Sequence, residues 1–184
     1  MIIASEKRKN NIAEYLLYMW QIEDIIRANG LDMERIRVNV TDRFDGLSPE
    51  QKRQMEEWYE SLIDMMRREG VAESGHLQMN NNVLQSLVEL HRALMADPRF
   101  AEYSAEFYRT LPFIVELRAT AGDKAADELT TCFTALYGAL MLRLAGKEIS
   151  PDTLAALGQI SRFIATLSAL FHKNENKPLF APED

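Results

Sequence analysis

At 184 residues, with 47% apolar and 27% charged side chains, the chain has the length and composition of one soluble domain with a real core. Its formal net charge is −7 and it has no long lysine or arginine run, which argues against a sequence-neutral grip on DNA or RNA, since that requires a basic surface. A single cysteine, Cys132, excludes an intrachain disulfide.

The first predicted helix spans Ser5 to Asn29. Ile12, Tyr15, Leu16, Met19, Ile22 and Ile26 recur at three- and four-residue intervals and so share one face, with Tyr18 and Trp20 flanking it. Glu23 falls inside this apolar stripe. Gly30 supplies a left-handed stop. Leu31 to Val40 has modest periodicity and is expected to be a short helix or turn, followed by a loop over 41–47. Ser48-Pro49, with Gln51 closing a capping box, starts the next helix firmly. That helix carries Met55, Trp58, Tyr59, Leu62, Met65 and Met66 on one side and stops near Gly70.

Ser74-Gly75-His76 is expected to open a helix running to about Ala96. Asp97-Pro98 marks another start, and Pro112 should break or kink the helix that follows. Gly122-Asp123 separates it from a helix that ends at Gly146. Ser150-Pro151 begins the last helix, which should end near His172, leaving 173–184 as a loose polar tail. The sum is an all-α fold, an antiparallel bundle of about six helices forming one domain over 1–172.

The last two long helices are apolar on more than one side. Phe133, Leu136, Tyr137, Leu140, Met141 and Leu144 form one stripe, flanked by the small residues Thr134, Ala135, Gly138 and Ala139. Leu154, Leu157, Ile160, Ile164, Leu167 and Phe171 form another, with Phe163 to one side. Such helices are buried either at the centre of a monomer or in a homodimer interface. At the N-terminus the charges follow the apolar residues, unlike a signal peptide. The longest weakly charged stretch singled out, Leu129–Leu142, is shorter than the ~18–20 residues of a spanning helix. A cytoplasmic protein with no membrane contact is expected.

Four polar residues stand out as candidate ligand-binding positions. Glu23 must be paired or functional, because an unpartnered carboxylate in an apolar setting costs several kcal/mol. Arg27, a tyrosine hydroxyl or a tryptophan N–H are the expected partners. His91 lies among Leu84, Leu87, Val88, Leu94 and Met95, and Asn80 and His76 continue that side toward the helix start. Glu23 and His91 meeting across a helix interface would make a polar lock or half of an acid–base site. His76 follows Ser74-Gly75 at a helix start, where free amides can hold an anion.

Glu73 and His76 have the spacing of one di-metal element, but a di-iron site needs two such elements and further carboxylates, so no metal and no cofactor are expected. Cys132 lies in an apolar helix with no nearby histidine and is expected to be a buried structural thiol. No phosphate loop, nucleophile elbow, His-Glu-x-x-His or Cys-x-x-Cys is present in the sequence.

Ile12–Asp24 (IAEYLLYMWQIED), Glu69–Gln78 (EGVAESGHLQ), Leu136–Leu140 (LYGAL) and Lys147–Ser150 (KEIS) resemble segments of an uncharacterised family of helical proteins from Bacteroidota. The resemblance implies an all-helical, cytoplasmic, single-domain protein and carries over no site residue. The leading functional expectation is a non-catalytic protein-interaction or regulatory module with an unknown protein partner, and the C-terminal helices are either its monomer core or a homodimer face. The alternative is a small-ligand-binding protein or enzyme using a polar pocket near Glu23, Asn80 and His91.

Overall fold

The structure, a computed structural model, describes residues 2–121 and 126–180. Among them are eight α-helices, two short 3-10 turns and no strand. The all-helical class therefore holds, with more helices than the sequence suggests, for two local reasons. The first is Asn11, which divides the expected opening helix into α1 (Ile2–Asn10) and α2 (Ile12–Ala28). Its Oδ1 accepts the Ala13 N–H at 3.1 Å, as an N-cap does, so the helix restarts there. The second is α3 (Met33–Asn39), a true helix capped by Asp32, whose side chain accepts from the Glu34 and Arg35 amides.

Between α2 and α3 the chain turns at Gly30, with φ +66°, and the Leu31 N–H returns to the Ile26 carbonyl at 3.0 Å. The helix α4 (Pro49–Arg68) opens with the expected capping box between Ser48 and Gln51. The next, α5 (Gln78–Ala96), begins after Ser74-Gly75-His76 rather than at them. Asp97-Pro98 starts a 3-10 turn before α6 (Ala101–Ala121). That helix continues through Pro112 without a break. Pro112 is exposed, so water can satisfy the carbonyl one turn back that loses its donor.

The expected break at Gly122-Asp123 lies outside the described residues. Asp127 caps α7 (Glu128–Leu144) through the Thr130 N–H, and Ser150 caps α8 (Pro151–Asn176) through that of Thr153. Thus α8 carries helix past His172 into the segment expected to be a tail.

The chain divides into two compact units. The first comprises Met1–Asn10 and Glu14–Val83, hence α1, most of α2, α3, α4 and the first turns of α5. Here α3 packs on α4. The stripe of α2 behaves as its spacing requires: Leu16, Met19, Ile22 and Ile26 are all buried, as are Tyr59, Leu62 and Met66 on α4.

The second unit comprises Asn11–Ala13 and Leu84–Asp184. In it α6 packs on both α7 and α8, and α7 on α8. Phe133, Ile160, Phe163 and Leu167 are fully buried, so Phe163 is a core residue and not a flanking one. Asn11 is held in this unit by Ser168, whose hydroxyl donates to its Oδ1 at 2.8 Å, and the Ile12 N–H donates to His172 Nε2 at 3.2 Å. Leu140 is only half-buried and Leu144 is 68% exposed.

The longest weakly charged stretch also proves to be in α8, where Leu154–Phe171 contains Arg162 as its one charged residue. An 18-residue window of α8 has mean hydropathy 1.5, so by length and composition this helix is apolar enough to cross a membrane; 33% of that window is buried.

Candidate functional site

The apolar face of α2 carries Glu23 into the first unit, where its side chain is 1% exposed. Three donors meet it. Oε1 accepts the Leu77 N–H at 2.9 Å and the Asn80 Nδ2–H at 2.7 Å, and Oε2 lies 2.6 Å from His76 Nδ1. Charge-assisted hydrogen bonds of this number are what a buried carboxylate needs to hold its place. Two of the donors belong to the start of α5: Leu77, whose carbonyl accepts the first helical bonds from Asn80 and Asn81, and Asn80 one turn in. The Gln78 N–H donates to Glu69 Oε2 at 2.6 Å. The start of α5 is thus capped by two carboxylates borrowed from other elements, which also favour the positive end of the helix dipole.

The connecting segment is folded around the same site. Gly75, at φ +87°, makes the turn that an L side chain would resist. The Arg27 guanidinium donates to the Val71 carbonyl at 3.2 Å and to the Gly75 carbonyl, while its Nη1 bonds Asp24 Oδ1 at 2.7 Å. The Asn81 side chain donates to the His76 carbonyl at 3.0 Å. Trp20, one turn before Glu23, stacks on the His76 ring at 4.2 Å between centroids and 11° between planes. His76 is therefore fixed at Nδ1 and on one face. Its side chain remains 33% exposed, and no other described residue bonds its Nε2.

His91, in the second unit, has a different environment. Its Nδ1 lies 2.7 Å from the Tyr103 hydroxyl, and its ring contacts those of Phe107 and Phe163 at 4.8 and 5.8 Å. Burial pushes its pKa below the usual histidine value, against the smaller opposing pull of Glu128 and Asp127. Burial raises the Tyr103 phenol far above its usual range. Near neutral pH the pair is therefore an uncharged imidazole and a protonated phenol. His91 also lines an open cleft with Arg92, Met95, Tyr108, Asp127 and Glu128.

Of the four candidate positions, then, Glu23, His76 and Asn80 come together, and His91 pairs with Tyr103. Glu23 meets His76, Asn80 and a backbone amide in place of His91, Arg27, a tyrosine or a tryptophan N–H. The helix start that could hold an anion is capped by the protein's own Glu23, joined by Glu69. Trp20, Glu69 and Tyr103 were missed. Trp20 alone had a cue, its helical spacing from Glu23. Glu69 and Tyr103 act through contacts that a linear pattern does not record.

Chemically, the Glu23–His76 pair resembles the orienting half of an acid–base dyad, with the carboxylate fixing one ring nitrogen and leaving the other. Among the described residues there is no group of three or more His, Cys, Asp or Glu side chains placed to hold a metal ion. Burial pushes the Cys132 thiol up to about 12, far from a nucleophile's range.

The fold and the site together define an all-helical protein whose most buried acid closes a helix start. The chain belongs to a family described as a domain of unknown function, DUF4924, which it matches over residues 1–177. No curated protein and no solved structure matches it. The resemblance to an uncharacterised family is thereby established, and function within that family is unknown.

Proposed function

We propose that this protein is a non-catalytic cytoplasmic interaction module that works as a homodimer, with the α7–α8 hairpin as its self-association face. One observation carries the reading: the apolar surface on these helices that the chain itself leaves open. Leu142 is 40% exposed, Leu144 68% and Leu154 41%, and Leu136, Tyr137, Leu140 and Met141 are only half-buried. Val115 on α6, at 56%, extends the patch in kind. Apolar side chains left exposed on two helices that pack together are candidates for burial by a partner.

Charge favours a second copy as the occupant. With a net charge of −7, two copies repel across most possible faces. Leu129–Leu142 and Leu154–Ser161 contain no charged residue, so a copy docks there without like-charge cost. Gly138 and Ala139 keep the flank of α7 low enough for close helix approach. The short connection from Ala145 to Ser150 favours an antiparallel hairpin, and two hairpins related by a twofold axis make a four-helix contact.

Sedimentation equilibrium at micromolar concentration tests this. The wild-type chain is expected to sediment as a dimer, and the Leu144→Glu, Leu154→Glu double variant as a folded monomer. A monomeric wild type would refute the reading, as would a double variant that still dimerises.

A further inference from the structure

The first unit contains a cavity of about 180 Å³ between α2, α4 and the segment joining α3 to α4. Its walls include Tyr18, Phe44, Trp58 and Tyr59, together with the side chains of Gln51 and Gln54, and no charged residue lines it. We propose that this cavity is a binding site for a neutral, planar one- or two-ring ligand that carries a hydrogen-bond donor and acceptor on one edge, as a ring lactam does. The site is separate from the self-association face and from the Glu23 cluster, and stands or falls independently of both.

Three observations point to that chemistry. The walls are aromatic, and aromatic faces select flat ring systems by offset stacking or edge contact. The Trp58 and Tyr59 rings already adopt an edge arrangement, with centroids 5.2 Å apart. The size is right: an apolar cavity of ~150 Å³ accommodates benzene.

The polar inventory is the sharper clue. Tyr59 is 3% exposed and Tyr18 is half-buried, and neither hydroxyl bonds another described residue, while both oxygens remain open to water. Burial raises both phenols above their ordinary pKa, so both are protonated donors that can also accept. The two glutamines are each half-used. Gln51 spends its Oε1 on the Ser48 N–H in the capping box, which leaves its amide N–H₂ as a donor. Gln54 donates from Nε2 to Glu50 Oε1 at 2.9 Å, which leaves its own Oε1 as an acceptor.

These groups meet water at the open side of the cavity, and a ligand edge that replaces their water hydrogen bonds keeps them satisfied. Here two phenols, one amide donor and one amide acceptor border the same apolar space. A ligand with a donor and an acceptor on one edge of a flat ring satisfies them while its faces meet the aromatic walls. A charged ligand finds no counter-ion there and loses its hydration.

The test uses the full-length protein and isoquinolone, a neutral bicyclic lactam, in saturation-transfer NMR and calorimetry. Isoquinolone is expected to bind with a Kd of about 0.1–1 mM, the range of a good fragment of that size. N-methyl isoquinolone, which lacks the donor, and the Tyr59→Phe and Gln54→Leu variants with isoquinolone itself, should each bind ~3–10-fold more weakly. Naphthoate, flat but charged, should not bind.

Gln54 lies near the start of α4 and outside the core, so its variant stays informative even if Tyr59→Phe disturbs packing. The proposal is overturned if isoquinolone shows no transfer up to its solubility limit. Equal affinity for the N-methyl compound, binding of naphthoate, or wild-type affinity in Gln54→Leu also overturns it, because the cavity would then be merely greasy.

Discussion

Replacing Glu23 in two ways separates its charge from its shape. In Glu23→Leu the three donors lose their acceptor together. The Leu77 N–H and the Asn80 side chain belong to residues with no exposure, so no water replaces the carboxylate for them. His76, a third exposed, can turn to solvent. Two buried donors left unsatisfied cost ~1–3 kcal/mol each, or about 2–6 kcal/mol in all.

Glu23→Gln keeps the oxygen that accepts both the Leu77 and Asn80 bonds and places an amide N–H₂ opposite His76 Nδ1. A neutral imidazole can accept from that amide, so the loss is that of charge assistance alone, about 1–2 kcal/mol. Urea unfolding followed by tryptophan fluorescence reads the difference, because Trp20 stacks on His76 within the cluster. With a urea dependence of ~2 kcal/mol/M, the midpoint should fall by about 1–3 M for Leu and by ~0.5–1 M for Gln. Equal midpoints for the two variants would refute a hydrogen-bonding role for Glu23. So would a Leu variant as stable as wild type, which would show that the carboxylate is replaceable by packing.

His91 gives the structure a pH dependence with a definite sign. Its folded pKa is lowered, so below about pH 6.5 the unfolded chain takes up a proton that the folded chain refuses. Its contribution to stability is complete above that pH and is lost as pH falls toward the folded value. The fall in urea midpoint between pH 7.5 and 5.5 should therefore be smaller in His91→Gln, and an unchanged fall would contradict the burial argument. Cys132, with its thiol pushed up to about 12 and its side chain buried, should resist iodoacetamide at pH 8 until denaturant is added. Alkylation of the native protein within minutes would place this thiol in a more open setting.

Local features were legible wherever the information is local. The Ser48-Pro49 start with Gln51 and the left-handed stop at Gly30 depend on residues within one turn of one another, and both occur as expected. The buried stripe of α2 follows from spacing alone. Asn11 was harder, because an asparagine fits either a helix interior or a cap. What decides it is Ser168, distant in sequence, which bonds the same oxygen that caps α2.

The site shows the same division. Glu23 was conspicuous because a carboxylate in an apolar stripe demands an explanation, but its partners come from the segment before α5. Helical periodicity says nothing about where such a segment lands. His91 was equally conspicuous, and the tyrosine that answers it is on the next helix. The cavity beside Trp58 and Tyr59 was not legible at all. The stripe of α4 reads as continuous core, and only the packed coordinates show that Met55 and Trp58 stay half-buried at its upper end.

The borrowed caps of α5 also order events during folding. A helix whose opening amides are satisfied by its own neighbouring residues can nucleate alone. Here the Leu77 and Gln78 amides find their acceptors on Glu23 and Glu69, so the first turn gains its stability only once α2 has arrived and the loop has closed. Weakening Glu23 should then speed unfolding far more than it slows refolding, which makes this junction a latch that shuts last and governs how long the native state survives.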